Sequence, residues 1–431
     1  MKSNRFSGKK LLILGSNVGA TDIVTYARAN GAYTIVADYY SPENSAAKRV
    51  ADEHILISTG DLGALSTLIQ ERKVDGVLAG ISEFNLLNAM TLSDKFGLSF
   101  YCTKEQWDMV ESKDQFRALC DRCGVPSPRT YYTGERIPDD IWARLHYPVV
   151  IKPVDGSTSA GVSICQTEKE LRDAEPVAIK NSIAGKLILE EYIKGHEFTA
   201  HYTICNGIPY LACIDNRYPV AINKGLVTTI PIARIYPSLF LEKYMIQVNE
   251  SMLNLCREIG IQNGVLFIQG LHGNDGFSIF EAGLRCAGEA PYRFIEKLNG
   301  INFMDILVDQ ALLGKVESYD SAKEDPLLKG KCCGIVSFAT KGGKVGAIRG
   351  LKEAVVSTPS VIEYECRYPE GADTPYGNTL RQLHIRFVMI CESREQMAKD
   401  VQYLNETITV LNDKGENMCL RFEPNRLFEV L

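Results

Sequence analysis

The chain has 431 residues, 45% of them hydrophobic and 23% charged, with a formal net charge of -6. That length suits two to four domains, and the composition is that of an ordinary globular protein. The mildly acidic balance excludes a general attraction to nucleic acid or anionic membrane, and no apolar run approaches the roughly 18 residues of a membrane span.

Taken in chain order, residues 11–15 read as a strand and 20–30 as a helix, closed by Gly31 in the C′ position. Strands follow at 33–38, 54–58 and 74–79. Strands separated by helix-length segments predict parallel pairing and a doubly wound α/β layer. The turn Gly15-Ser16-Asn17-Val18-Gly19-Ala20, with Asp38 ending the second strand, approaches a dinucleotide fingerprint but lacks the G-x-G-x-x-G spacing. Its glycines suit a tight strand-to-helix turn without any cofactor. Gly15 also cuts the N-terminal apolar run too short for a signal peptide, so a cytoplasmic chain is expected. The 13 Cys, in no repeating frame, fit reduced thiols.

Ser112 is placed to cap a helix running to Cys123, stopped by Gly124 and Pro126. Its apolar positions are Phe116, Leu119, Cys120 and Cys123, so the CxxC of Cys120 and Cys123 reads as core rather than as a zinc or redox site. A strand at 149–153 carries Lys152 and runs into a loop rich in Gly and Ser. Another strand is expected at 186–191. Strands at 264–271 and 277–281 flank Gly273-Asn274-Asp275-Gly276, a hairpin turn. Beyond about residue 330, strands at 334–340 and 344–348 flank Gly342-Gly343, which reads as a second hairpin. A strand at 384–391 and one helix near 394–410 complete a small β-rich C-terminal region.

Lys152, with Gly156, Ser157, Thr158, Ser159, Ala160 and Gly161, suits a phosphate chain. Small residues let backbone N–H groups approach the phosphates, and the lysine supplies a point charge. This is not a Walker A loop, because the lysine precedes the glycines. The plainer reading is a buried lysine paired with a carboxylate. In the stretch from Glu190 to Glu197, the linker backbone suits an adenine edge and Glu197 suits ribose hydroxyls; ordinary surface glutamates are the plainer reading. Gln269 and Glu281, on neighbouring antiparallel strands, would offer oxygens to Mg²⁺. Arg285 would hold a carboxylate or a developing phosphate charge. The plainer alternative is a polar pair near a turn. The stretch 215–237 carries Arg217, Lys224 and Arg234 among few acids and is expected to line an acceptor pocket for an anionic substrate, or else to be a solvated loop.

In this order, Lys113, Lys152 with its Gly/Ser loop, Glu190 to Glu197, Gln269, Glu281 and Arg285 resemble the ATP-grasp superfamily. The closing hairpins, with Lys341-Gly342-Gly343-Lys344 and Ile348-Arg349-Gly350-Leu351, resemble the amino-acid ligase and biotin carboxylase branch. The resemblance implies an α/β and α+β protein in three parts. These are an N-terminal doubly wound layer at 1–105, an ATP-grasp fold of two α+β subdomains at 106–325 and a β-rich domain at 326–431. Within the second part, about 115–190 would cover the nucleotide. It further implies ATP and Mg²⁺ (with Mn²⁺ as a substitute) as cofactors. Lys113, Lys152 and the 156–161 loop would meet the phosphates. Glu190 and the backbone of Glu191 to Ile193 would meet the adenine, and Glu197 the ribose. Glu281 and Gln269 would bind metal, and Arg285 would stabilise a phosphorylated intermediate. The Gln resembles carbamoyl phosphate synthetases. One departure stands out: the family's Glu-x-Asn is here Glu281-Ala282-Gly283, which removes a side-chain ligand.

The activity implied is that of a carboxylate–amine ligase. A carboxylate is a poor electrophile until phosphorylation gives it a leaving group, and a protein drives that step by positioning and charge neutralisation. The partners implied are a small carboxylate, an amine and a second copy of the chain, with neither nucleic acid nor membrane. Competing readings are phosphorylation of bicarbonate or carbamate, a nucleotide-binding protein without chemistry, and a dinucleotide oxidoreductase.

Overall fold

The structure is a computed structural model that describes residues 4–155, 161–220, 230–317, 319–377 and 379–429. Strands β1 (Lys10–Leu14), β2 (Tyr33–Asp38), β3 (Glu53–Leu56) and β4 (Gly76–Ala79) form a parallel sheet in the order β3-β2-β1-β4. Helices α1 (Ala20–Ala29), α2 (Ala46–Val50) and α3 (Leu62–Arg72) fill the three connections, and α4 (Glu83–Phe96) follows β4. Leu11 to Leu14 and Ile35 to Ala37 are fully buried, as expected of strands covered on both faces. This is the doubly wound layer that the alternation of strand and helix predicts.

Helices α5 (Lys104–Glu111) and α6 (Lys113–Cys123) lead out of that layer. Ser112 stands at the N-cap of α6, but its hydroxyl binds the Asp114 carboxylate rather than a backbone N–H. Phe116, Leu119 and Cys120 are buried and Cys123 partly so, and both thiols are free, which agrees with the core reading. Strands β5 (Thr130–Gly134), β6 (Val149–Pro153), β7 (Ser163–Cys165) and β8 (Leu187–Glu191) make an antiparallel sheet in the order β5-β8-β6-β7. Helices α7 (Asp139–Trp142) and α8 (Glu168–Lys180) lie between them in sequence. This unit has a small core of its own, with Ile137, Val149, Ile151, Leu171, Leu187 and Leu189.

The chain continues through β9 (Gly195–Cys205), β10 (Ile208–Ile214), β11 (Asn216–Val220), β12 (Ile230–Tyr236), α9 (Leu241–Gln247), α10 (Asn249–Ile259), β13 (Gly264–Gly273) and β14 (Gly276–Gly283). Four of these strands form a second antiparallel sheet, β10-β9-β13-β14, with β13 and β14 joined by the expected hairpin. Helices α11 (Tyr292–Asn299) and α12 (Phe303–Leu313) follow, and α12 packs on β13 and back onto α1. One apolar cluster therefore runs from the N-terminal layer into this sheet.

The last part holds β15 (Cys332–Thr340), β16 (Gly343–Arg349), α13 (Leu351–Val356), β17 (Val361–Cys366), β18 (Asp373–Thr374), β19 (Leu383–Cys391), α14 (Arg394–Thr407), β20 (Thr409–Asn412) and β21 (Cys419–Leu420). Its main sheet runs β11-β12-β15-β19-β17, with β21 also paired to β15, and has a core of its own.

Three expectations need correction. The strands flanking Gly342-Gly343 are not a hairpin: β15 is flanked by β19 along one edge and by β12 and β21 along the other, while β16 pairs with β18 and β20. A strand whose two edges are already occupied cannot also accept its sequence neighbour. Gly350 opens α13 as its N-cap rather than turning a hairpin, so this region has two helices and not one. The described part of 215–237 is not a solvated loop. Its described residues form β11 and β12, paired with each other and with β15. Lys224 and the 221–229 segment lie outside the described residues. Among the described residues, no helix is long and apolar enough to cross a membrane.

Candidate functional site

The β13–β14 hairpin forms the floor of the candidate site. Gln269 and Glu281 are direct cross-strand partners, so their side chains share one face. A bulge follows at Gly270, where any Cβ would lie 2.5 Å from the Phe198 ring. On the same face Phe267 is opposite Gly283. A Cβ at Gly283 would stand 2.6 Å from that ring, so the ring occupies the space a side chain there would need.

The sheet β5-β8-β6-β7 bears Lys152 and Glu190. Lys152 Nζ lies 2.6 Å from Glu190 Oε2, and Arg117 Nε donates to Glu190 Oε1 at 2.6 Å. Arg117 also donates through Nη2 to the Phe280 carbonyl at 2.8 Å. Phe280 precedes Glu281, so this buried triad links the lysine strand directly to the floor. Burial pulls the Lys152 ammonium below its ordinary value, against the pull of Glu190. Burial raises Glu190, but Lys152 and Arg117 outweigh that and hold it below the usual carboxylate range. The plainer reading of Lys152, as a buried lysine paired with a carboxylate, is therefore realised. Glu190 has a cation on each oxygen. Glu191 itself accepts from the Arg129 backbone N–H at 2.8 Å.

The other expected residues are placed as follows. Lys113 opens α6 and borders a small cavity with Glu83, Glu111 and Glu281. Gly161 has φ +74, and a Cβ there would stand 2.8 Å from the Asn181 Cβ. Gly156, Ser157, Thr158 and Ser159 lie outside the described residues. Glu197 is ion-paired with Arg217. Arg285 donates to Glu83 at 2.9 Å and lies 4.8 Å over the Phe267 ring, with its Nε buried and unbonded among the described residues.

Arg234 does not present a free charge to an acceptor. It is buried on β12 beside Asp215 Oδ2 at 2.8 Å, Glu289 Oε1 at 3.0 Å and Thr199 Oγ1 at 2.7 Å. Arg217 is its cross-strand partner. Burial pushes Asp215 up to about 6 despite Arg234, while Arg234 and His201 outweigh burial at Glu289 and keep it below the ordinary range. His201 Nε2 lies 3.7 Å from Glu289 Oε1, and burial drives this imidazole down to about 4.

A pH dependence follows for His201. Its pKa is lower folded than unfolded, so the stability it contributes is complete above 6.5 and is lost as pH falls toward 4. At pH 5 the chain should be less stable than at pH 7 by about 2 kcal/mol from this group alone. His201→Gln should remove that increment, as read from denaturant unfolding of both proteins at the two pH values. An unchanged pH dependence would contradict the assignment.

Four residues went unnoticed in the sequence: Glu83, Glu111, Arg117 and Glu289. Arg117 is one helical turn from Lys113, a spacing that puts both on one face. Glu111 ends α5, which is announced by a capping box between Thr103 and Gln106. Burial raises the Glu111 carboxyl to about 8, with Glu83 and Glu281 adding and Arg285 and Lys113 opposing. Glu83 and Glu289 carry no local signal and become visible through their partners, Arg285 and Arg234. Among the described residues no three His, Cys, Asp or Glu form a ready metal cluster. The hard oxygen donors of Gln269, Glu281 and Glu111 nevertheless suit Mg²⁺ rather than a softer ion.

Two antiparallel α+β units, one bearing a buried lysine and the other a carboxylate hairpin, define the class of this protein as that of ATP-grasp folds. Residues 145–290 match a family described as an ATP-grasp domain. Curated relatives include a formate-dependent phosphoribosylglycinamide formyltransferase of Prochlorococcus marinus. It is 29% identical over 207 residues, which are 46% of this chain and 51% of the relative. That of Methanococcus maripaludis is 27% identical over 44% of this chain and 49% of the relative. The chain thus spans about half the length of the curated relatives it matches. The fold extends further than the sequence likeness. The L-amino acid ligase of Bacillus licheniformis superposes with TM-score 0.77 at 18% identity, over 94% of this chain and 99% of that one. The biotin carboxylase domain of Hydrogenobacter thermophilus 2-oxoglutarate carboxylase, solved with MgADP and bicarbonate, superposes with TM-score 0.73 at 17% identity, over 93% and 90%.

Proposed function

We propose that this chain is an ATP-dependent ligase that phosphorylates a small carboxylate and joins the resulting acyl phosphate to an amine. The observation that carries this reading is the Lys152–Glu190–Arg117 triad bonded to the Phe280 carbonyl, beside the Gln269–Glu281 pair. Bound ATP with Mg²⁺ would supply the phosphoryl group that makes the carboxylate an electrophile. Lys152 and Lys113 neutralise phosphate charge, with Glu190 keeping Lys152 aimed. Glu281 and Gln269 offer oxygen ligands, and Glu197, paired with Arg217, accepts ribose hydroxyls. Arg285 neutralises the charge that builds on the transferred group. We assign three domains, 1–105, 106–325 and 326–431, with β11 and β12 lent to the third. We further propose that Mn²⁺ can replace Mg²⁺ and that the protein works as a cytoplasmic homodimer.

Formate is named in the curated relatives and bicarbonate in one solved neighbour, so both belong in the test. Phosphate release from ATP and Mg²⁺ is measured with formate, bicarbonate and amino acids, each with and without candidate amines. Release that requires both a carboxylate and an amine is the expected result. Release with bicarbonate alone would replace the ligase reading by a carboxylase one. Nucleotide binding with no release under any pairing would favour a binding protein.

A further inference from the structure

Gly283 removes an oxygen from the metal-facing strand, and the structure shows what stands in its place. A side chain at 283 would start on the face shared by Glu281, because residues two apart on a strand point the same way. Its Cβ would lie 2.6 Å from the Phe267 ring and 3.4 Å from Glu111 Oε1. That oxygen comes from the last residue of α5, a separate helix packed on β14. It is buried and has no hydrogen-bond partner among the described residues. Glu111 borders the same small cavity as Glu281 and Lys113. A buried carboxylate oxygen without a donor is unfavourable by itself, and a divalent cation is a partner that reverses the sign.

We propose that Glu111 is a metal ligand of this site and supplies the oxygen that Gly283 cannot. The assignment rests on the ligase reading above. It makes the ligand set two carboxylates, from Glu111 and Glu281, and the Gln269 carboxamide, three hard oxygens from α5, β14 and β13. Phe267 completes the arrangement by filling the space over Gly283 and carrying Arg285 on its face.

The test uses Mn²⁺ as the probe. Mn²⁺ binding to the full chain, saturated with a non-hydrolysable ATP analogue, is followed by electron paramagnetic resonance for wild type, Glu111→Gln and Glu83→Gln. Glu111→Gln is isosteric and removes a charge from a buried place, and circular dichroism checks that the fold is kept. Its Mn²⁺ affinity should fall at least about tenfold. Glu83→Gln removes the same charge nearby without removing a ligand and should lose less. Analogue binding without divalent cation should be equal in all three. Equal Mn²⁺ affinity in wild type and Glu111→Gln, or an equal fall in both variants, would overturn the assignment and leave the ligase reading standing. A wild-type chain that binds no analogue would overturn the ligase reading itself.

Discussion

Glu190→Ala is expected to destabilise the chain by about 3–5 kcal/mol, the loss that follows when a buried ion pair is left with one side only. Here two cations are stranded at once. Lys152 Nζ and Arg117 Nε each lie 2.6 Å from a different oxygen of this carboxylate. Neither has solvent to turn to, since both side chains are buried. Arg117 also ties α6 to the Phe280 carbonyl. Losing Glu190 should therefore loosen the lysine-bearing sheet from the hairpin as well as lower the unfolding free energy. Denaturant unfolding of the two proteins checks the magnitude. A loss below about 1 kcal/mol, the scale of an exposed pair, would mean that water reaches the triad.

Lys152→Met should have a different profile: a smaller loss of stability than Glu190→Ala and a fall in ATP-dependent turnover of about 10²- to 10³-fold, the scale for removing one positioned charge donor. The apolar replacement is of similar length, and Glu190 keeps Arg117 as its partner. Steady-state phosphate release, with the best carboxylate and amine found, measures the fall. Turnover within threefold of wild type would show that the lysine serves the fold alone. The two substitutions thus divide one triad into a residue that holds and a residue that acts.

Much of this was readable from the chain because it depends on local spacing. The N-terminal layer announced itself through apolar runs separated by helix lengths, and Gln269 and Glu281 fell opposite each other because a short turn sets hairpin register. What failed depended on distant partners. The Gly342-Gly343 turn has hairpin chemistry, but β15 is already flanked by β12 and β19. Arg234 and Arg217 stand in a stretch with few acids, and their ion pairs could not be read from it. Their counter-charges are Asp215, at the head of the same stretch, together with Glu289 and Glu197 from other parts of the chain. Arg117, from a helix 73 positions away in sequence, binds one oxygen of Glu190, a partner the sequence does not announce. A carboxylate's role is set by which cations reach it, and sequence distance hides them.

Strand β12 is buried along its whole length and completes its sheet only against β15. The chain is made from the N-terminus, so β12 leaves the ribosome well before β15, with α9 to α12 and the floor hairpin synthesised in between. During that interval an apolar edge has no strand to pair with except its neighbour β11. Nascent chains of this protein should therefore depend on a holdase or on slow, ordered docking, and translation stalled before β15 should leave a species prone to edge-to-edge association. The same wiring frustrates modular engineering, since exchanging the C-terminal segment between relatives would leave β12 facing a foreign partner.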